Sequence, residues 1–305
     1  AIAKKTSVTI LFNSVQTGSV KRGLFDWIRY LGLCLKSWIF VSQQYQPRNS
    51  FDLIIGTGAF THIPMIHLQK SSGAKAVTCM SPAYPLIRDF DLCLIPRHDR
   101  QASRKNTIVT QGPPIFTNAR REHDPQKGLI LIGGVDKRSH KWRSDALMEY
   151  IRVILRRESN VKWTISSSPR TPRETVDAMA QLATDTDSLR FYKAEDTPAG
   201  WIEKQYQNHH MVWITADSIS MIFEAITAGC RVGILPVEWK NTQSKFKACV
   251  DDLIKNHWVI SFEGWRAGKK ATIQDRDLNE AARCAEEILR RWWPDRLPSS
   301  KCYPS

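Results

Sequence analysis

Glu224 is the lone acid in the apolar and small-residue run ISMIFEAITAG, closely preceded by Asp217, Ser218 and Ser220. A carboxylate accepts hydrogen bonds from two neighbouring hydroxyls at once, which suits a ribose or sugar diol. The serines fall where a helix begins. The first N–H groups of a helix have no partners within it, so an anion gains there, by about 0.3 to 1 kcal/mol when exposed and up to about 2 when partly buried. Glu224, with Met221 beside it, would therefore read a nucleoside while Asp217, Ser218 and Ser220 mark the helix start that holds its phosphates. A salt bridge from Glu224 to a surface lysine would use the same acid without any ligand.

Three further junctions carry polar groups at expected strand ends. In LILIGGVDKRSHKW, Gly133 and Gly134 would let a backbone approach a ligand closely, and Lys137, Arg138 and Lys141 offer cationic donors for phosphate. The same residues would also make an ordinary turn with solvated lysines. In WTISSSPRTP, Ser166, Ser167 and Ser168 supply hydroxyls and N–H groups next to Arg170, or simply a loop that caps the following helix. PVEWKNTQSKF adds Glu238, Asn241 and Gln243, for which a plain loop is the favoured reading. In the first half, IGTGAFTHIP places Gly56, Thr57 and Gly58 at a strand end, and LIPRHD places His98 and Asp99 at another. A histidine beside an aspartate could serve as general base toward a hydroxyl acceptor. Neighbours in an extended chain point apart, however, so the adjacency alone is no triad, and a satisfied loop histidine is the favoured reading.

These residues need a frame of strands and helices in alternation. Strand-like runs in the first half are Val8–Phe12, Asp52–Ile55, Ala76–Cys79, Leu92–Ile95 and Thr107–Val109, with helical patterns over 24–41 and 60–71. After the breaker-rich stretch from Gln111 to Gly128 the alternation restarts. Leu129–Ile132, Val161–Ser166, Leu189–Tyr192, Val212–Ile214 and Val232–Leu235 read as strands, with helices over 143–157, 172–183, 199–208 and 218–228. A last helix, Asp275–Trp293, stops at Pro294. The expectation is an α/β protein of two doubly wound Rossmann-like domains facing across a cleft. The expected boundaries are 1–118 for the first domain and 119–305 for the second, which includes the terminal helix.

At 305 residues, 42% hydrophobic and 24% charged, the chain has material for two cores. The net charge of +14 is uneven: residues 1–127 hold 17 Lys+Arg against 7 Asp+Glu. That basic half could meet an anionic membrane surface or an acidic substrate. With charges dispersed and no recognisable module, nucleic acid is not expected. Seven scattered cysteines without a C-x-x-C pair argue for reduced thiols in a reducing compartment and against a zinc site, so no metal is implied. No run reaches the roughly 18 apolar residues of a membrane span. Trp27, Leu31, Leu35, Trp38 and Ile39 line one side of the helix over 24–41, either packed in the core or resting on an anionic leaflet.

In FDLIIGTG, FDLCLIPRHD, LILIGGVDKRSHKW, SSSPRTP and ITADSISMIFEAITAG, which follow one another from residue 51 onward, the chain resembles the mitochondrial fission Elm family of plants and its bacterial relatives. The resemblance implies a glycosyltransferase of the two-Rossmann GT-B type. Glu224 would bind the donor ribose, and the loops at 133, 166 and 218 its diphosphate. It implies an inverting, metal-independent transfer from a nucleotide sugar, which is substrate rather than cofactor, to a glycan or glycolipid acceptor such as lipopolysaccharide core. The location would be cytoplasmic or peripheral at an inner membrane. The family's glycine-rich DGK-x-GH loop is not found as such in AIAKKTSVTILFNSVQTGSVKRG: either Asn13–Gly18 is a degenerate version of it or the element is absent, which leaves the acceptor side without its usual marker. By the same resemblance the chain could instead be a non-catalytic adaptor that recruits a dynamin-related protein at the mitochondrial outer surface. A nucleotide-sugar epimerase is disfavoured here, on the expectation that it needs a G-x-G-x-x-G loop after an early strand.

Overall fold

A computed structural model describes residues 51–83, 85–99, 103–115, 123–271 and 278–297. The expected strand Val8–Phe12 and the helix over 24–41 lie outside the described residues. The chain divides into two α/β units, one running to Pro114 and resuming at Glu280, the other spanning Ile115–Asn279.

Among the described residues the first unit carries a parallel sheet of four strands in the order β1-β2-β3-β4: β1 (Leu53–Gly56), β2 (Lys75–Thr78), β3 (Leu92–Pro96) and β4 (Thr107–Thr110). Helix α1 (His62–Ser72) joins β1 to β2 and stops at Gly73, whose φ of 73° is open to glycine and whose N–H donates to the Gln69 carbonyl. Side chains alternate along a strand. Thus Ala76, Cys93 and Ile95 pack with Met65 and Ile66 on one face, and Val77, Leu92 and Leu94 face the other way.

That second face is covered by the terminal helix, Glu280–Trp292, through Cys284 and Ile288. The sequence reading assigns this helix to the second domain because it follows it in the chain. Its stripe of Ala281, Cys284, Ala285, Ile288 and Leu289 shows only that it is buried on one side, and the open apolar face of the first sheet takes it.

The second unit has a six-stranded parallel sheet, ordered β12-β10-β9-β5-β7-β8. Its strands are β5 (Asp124–Leu131), β7 (Lys162–Ser166), β8 (Leu189–Tyr192), β9 (His209–Thr215), β10 (Arg231–Leu235) and β12 (Ile260–Ser261). Helices α2 (Ser144–Arg157), α3 (Arg173–Thr184), α4 (Trp201–Asn208), α5 (Ile219–Thr227), α6 (Lys245–Lys255) and α7 (Phe262–Arg266) cover it, and the terminal helix is α8. The sheet is wound on both faces. Leu129, Leu131, Val212 and Ile214 face α4, α5 and α6, while Ile130, Ile132 and Trp213 face α2, α3 and α7. Gly233 of β10 lies flat against the Trp213 indole, where any Cβ would enter the ring.

Strand β5 starts at Asp124, inside the breaker-rich stretch from Gln111 to Gly128. Its first residues run exposed beside β9, with an irregularity in register between Asp124 and Gly128. Over the strand ends, β6 (His140–Lys141) pairs antiparallel with β11 (Glu238–Trp239). Burial pushes up the thiols of Cys79, Cys93, Cys230, Cys249 and Cys284, to about 11 for Cys79 and about 12 for the others. Among the described residues no helix is long and apolar enough to cross a membrane.

Candidate functional site

The central strands β5, β7 and β9 end side by side, so the loops that follow them meet by topology. Hydrogen bonds then tie the three together. The Gly133 N–H donates to Thr215 Oγ1 at 2.8 Å, and the Gly133 carbonyl accepts from Ser168 Oγ at 2.9 Å and Thr171 Oγ1 at 2.5 Å. The Gly134 N–H donates to Asp217 Oδ2 at 3.1 Å, while its carbonyl accepts from Arg170 Nη1 at 3.3 Å. Arg170 Nη2 closes the loop on Asp217 Oδ2 at 3.0 Å, and Ser218 Oγ adds a bond to the same oxygen at 3.3 Å.

The two glycines therefore make room for the protein's own groups. A Cβ on Gly133 would fall on the Asp217 carboxylate and the Ser218 hydroxyl, and one on Gly134 on the Arg170 backbone. The Asp217 side chain is 2% exposed against 47% for Arg170, and its second oxygen, Oδ1, is buried without a partner among the described residues.

The three serines are buried, and their hydroxyls are engaged internally. Ser166 Oγ donates to the Ser167 carbonyl, Ser167 Oγ accepts from the Ala194 N–H, and Ser168 Oγ reaches Gly133. What remains open is cationic. Lys137 and Arg138 are exposed on the turn that continues the Gly133–Gly134 loop, and the Arg138 N–H donates to Asp136, holding that carboxyl below its ordinary range. Helix α5 starts after Ser218 with no side-chain cap, and Ser220 is exposed in its first turn. Its leading N–H groups are thus available to an anion.

Glu224 lies six residues beyond Ser218, about 9 Å along the helix axis at 1.5 Å per residue, a span of the order of a nucleoside diphosphate. It is half-buried, and its partner among the described residues is Tyr206, whose hydroxyl donates to Oε2 at 3.1 Å. Burial pushes the Glu224 carboxyl up; the tyrosine bond opposes that, and the negative charge of Glu203 adds to it. Met221 is half-buried beside this pair, its carbonyl 3.5 Å from the Tyr206 hydroxyl. Tyr206, Thr171 and Thr215 were not among the candidates. Tyr206 sits on a separate helix, and nothing in its local sequence links it to Glu224.

At the fourth junction Glu238 is bound by Lys141 at 2.6 Å and Arg143 at 3.5 Å, which holds its carboxyl below the ordinary range. Beside it lies a cavity of about 310 Å³ walled by Trp142, Leu147, Tyr150 and Val237. In the first unit, His98 and Asp99 are not on extended chain. They occupy a 3-10 turn (Arg97–Asp99) after β3, which turns His98 Nε2 to 3.9 Å from Asp99 Oδ1.

Three solved structures share this fold at low identity. A Listeria monocytogenes protein described as a candidate UDP-N-acetylglucosamine 2-epimerase is 10% identical with a TM-score of 0.52, covering 94% of this chain and 85% of that one. The glycotransferase of kitacinnamycin is 11% identical with a TM-score of 0.51, covering 92% and 85%. MnaA of S. aureus, solved with UDP, is 11% identical with a TM-score of 0.50, covering 90% and 85%. The fold is the two-Rossmann GT-B type. No curated protein matches. The family model described as Mitochondrial fission ELM1 matches residues 5–292.

Proposed function

Because the chain belongs to the mitochondrial fission ELM1 family and has a GT-B fold, we propose that it is a glycosyltransferase whose donor is a nucleotide sugar held by the second unit. Glu224 accepts the ribose hydroxyls. The open N-terminus of α5 with Ser218 and Ser220, together with Arg170, Lys137 and Arg138, receives the diphosphate. The acceptor hydroxyl attacks the anomeric carbon as the C–O bond to the diphosphate breaks, inverting the configuration, and His98 paired with Asp99 takes the acceptor proton. Charge grows on the leaving phosphate in the transition state, so donors already aimed there lower the barrier without a metal. The acceptor is a glycan or glycolipid of the lipopolysaccharide type, reached by a chain resting peripherally on an anionic inner leaflet. The observation that carries the reading is a half-buried, hydrogen-bonded carboxylate six residues along the helix whose start is uncapped, with exposed cations on the neighbouring loop.

One observation favours a second reading, a non-catalytic adaptor at the mitochondrial surface. Both glycine N–H groups and the Ser166 and Ser168 hydroxyl protons are used within the protein, which leaves fewer donors for a diphosphate than the sequence offers. The absence of a dinucleotide loop also carries no weight against an epimerase, since one protein of the same fold is described as a candidate of that class. Thermal melts with UDP, GDP, ADP and CDP separate these readings. The transferase reading expects stabilisation by one base, lost in Glu224→Ala. No response to any diphosphate would leave the adaptor, and scrambling of the sugar's own stereochemistry without an acceptor would point to the epimerase.

A further inference from the structure

We propose that Tyr206 is a positioning residue for Glu224, fixing the aim of its carboxylate and making nucleotide binding sensitive to pH; the inference rests on the donor-site reading above. Tyr206 is 1% exposed and sits in the core with Ile222 and Phe223, so its ring is held by packing rather than by the hydroxyl. The hydroxyl has a single proton. Of its two neighbours, Glu224 Oε2 at 3.1 Å and the Met221 carbonyl at 3.5 Å, the nearer is also the stronger acceptor.

One carboxylate oxygen is thereby pinned. The other, Oε1, has no partner among the described residues and is left to accept from a ligand hydroxyl. A neutral glutamic acid would offer one of its oxygens as a donor instead, so a diol needs the ionised form. Burial and Glu203, which lies one turn before Tyr206 on α4, both favour protonation of Glu224, and the tyrosine bond is what opposes them. Among the described residues the titratable groups facing Glu224 are Tyr206 and Glu203. Cys230, ahead of β10, faces Tyr206, and its thiol donates to the Tyr206 backbone carbonyl, a bond that a change at the hydroxyl leaves intact.

The sign follows. An acid whose folded form is biased toward protonation loses its charge as pH falls through the folded value, so nucleotide binding weakens on acidification. Removing the tyrosine donor moves that loss to higher pH.

The test is Tyr206→Phe, which keeps the buried ring. In ligand-free protein, the ¹³C carboxyl resonance of Glu224, identified by its disappearance in Glu224→Gln, is titrated in both backgrounds. Its midpoint is expected to rise in Tyr206→Phe, and an unmoved midpoint overturns the proposal, even if the variant melts earlier. Calorimetric binding of UDP, GDP, ADP and CDP is then expected to weaken on the order of tenfold at neutral pH for whichever base binds the parent, recovering as pH rises. Equal affinity at every pH also overturns it. If the parent binds none of the four while the carboxyl midpoint still moves, the donor-site reading has failed, and the ligand role of Tyr206 falls with it, although its hold on Glu224 stands.

Discussion

Asp217 offers the sharpest separation between a group that builds the site and one that touches a ligand. Its side chain is 2% exposed, and one oxygen receives the Gly134 N–H, Arg170 and the Ser218 hydroxyl. In Asp217→Ala the Arg170 guanidinium, 47% exposed, turns to solvent, so its share is small after screening. The Gly134 N–H cannot move away, because its backbone is pressed against Arg170 and Thr171. Leaving it unpaired costs about 1.5 to 3 kcal/mol, the range for a hydrogen bond to a charged group. For a unit the size of Ile115–Asn279, at about 2 to 4 °C per kcal/mol, the expected fall in melting temperature is roughly 3 to 12 °C. Differential scanning calorimetry of the ligand-free protein reads this directly. A melting temperature within a degree of the parent, coupled to a lost nucleotide response, would mean that Asp217 serves the ligand and that the loop-tying argument is wrong.

Glu224→Gln is expected to raise the stability of the ligand-free protein at neutral pH. The folded carboxyl is held above its ordinary value, so its contribution is full below the unfolded value and is lost as pH rises through the folded one. Glutamine keeps an acceptor for Tyr206 and carries no charge. The gain should shrink toward acid in melts at two pH values, while nucleotide binding is lost at both. Ile288→Ala in α8 should cost about 2 to 5 kcal/mol, the range for a buried aliphatic deletion. Amide exchange should accelerate in β2, β3 and β4 and not in β5 or β9; the reverse pattern would return the helix to the second unit.

The alternation of strands and helices was legible because buried strands such as LILI, set between Gly128 and Gly133, and VWIT, followed by Ala216-Asp217-Ser218, are short and apolar. The helix that carries Glu224 was readable from the spacing of Ile219, Ile222, Phe223 and Ile226, all of them buried. Helix α6 is not among the helices expected from the sequence although its signal exists: Ser244 accepts from the Lys247 N–H, and Cys249, Val250 and Leu253 are buried. Five charged residues in eleven diluted that stripe. The β6–β11 pair was not readable, since two-residue strands far apart in the chain leave no periodicity.

The meeting of the 133, 168 and 217 loops follows from strand order, which alternation suggests. Their partners do not: a serine at a strand end reads the same whether its hydroxyl faces a ligand or the Gly133 carbonyl. The Tyr206–Glu224 bond has the same origin, a tertiary contact between two helices whose local patterns are each complete without it.

The return of α8 to the first sheet has a consequence for biosynthesis. A growing polypeptide leaving the ribosome presents β1 to β4 long before Glu280–Trp292 is made, so Val77, Leu92, Leu94 and Ile108 wait for their covering helix while the whole of Ile115–Asn279 is translated. The second unit can close early; this face of the first sheet is covered only after that unit has been made, and a nascent chain stalled before Glu280 would display a sticky sheet face to chaperones.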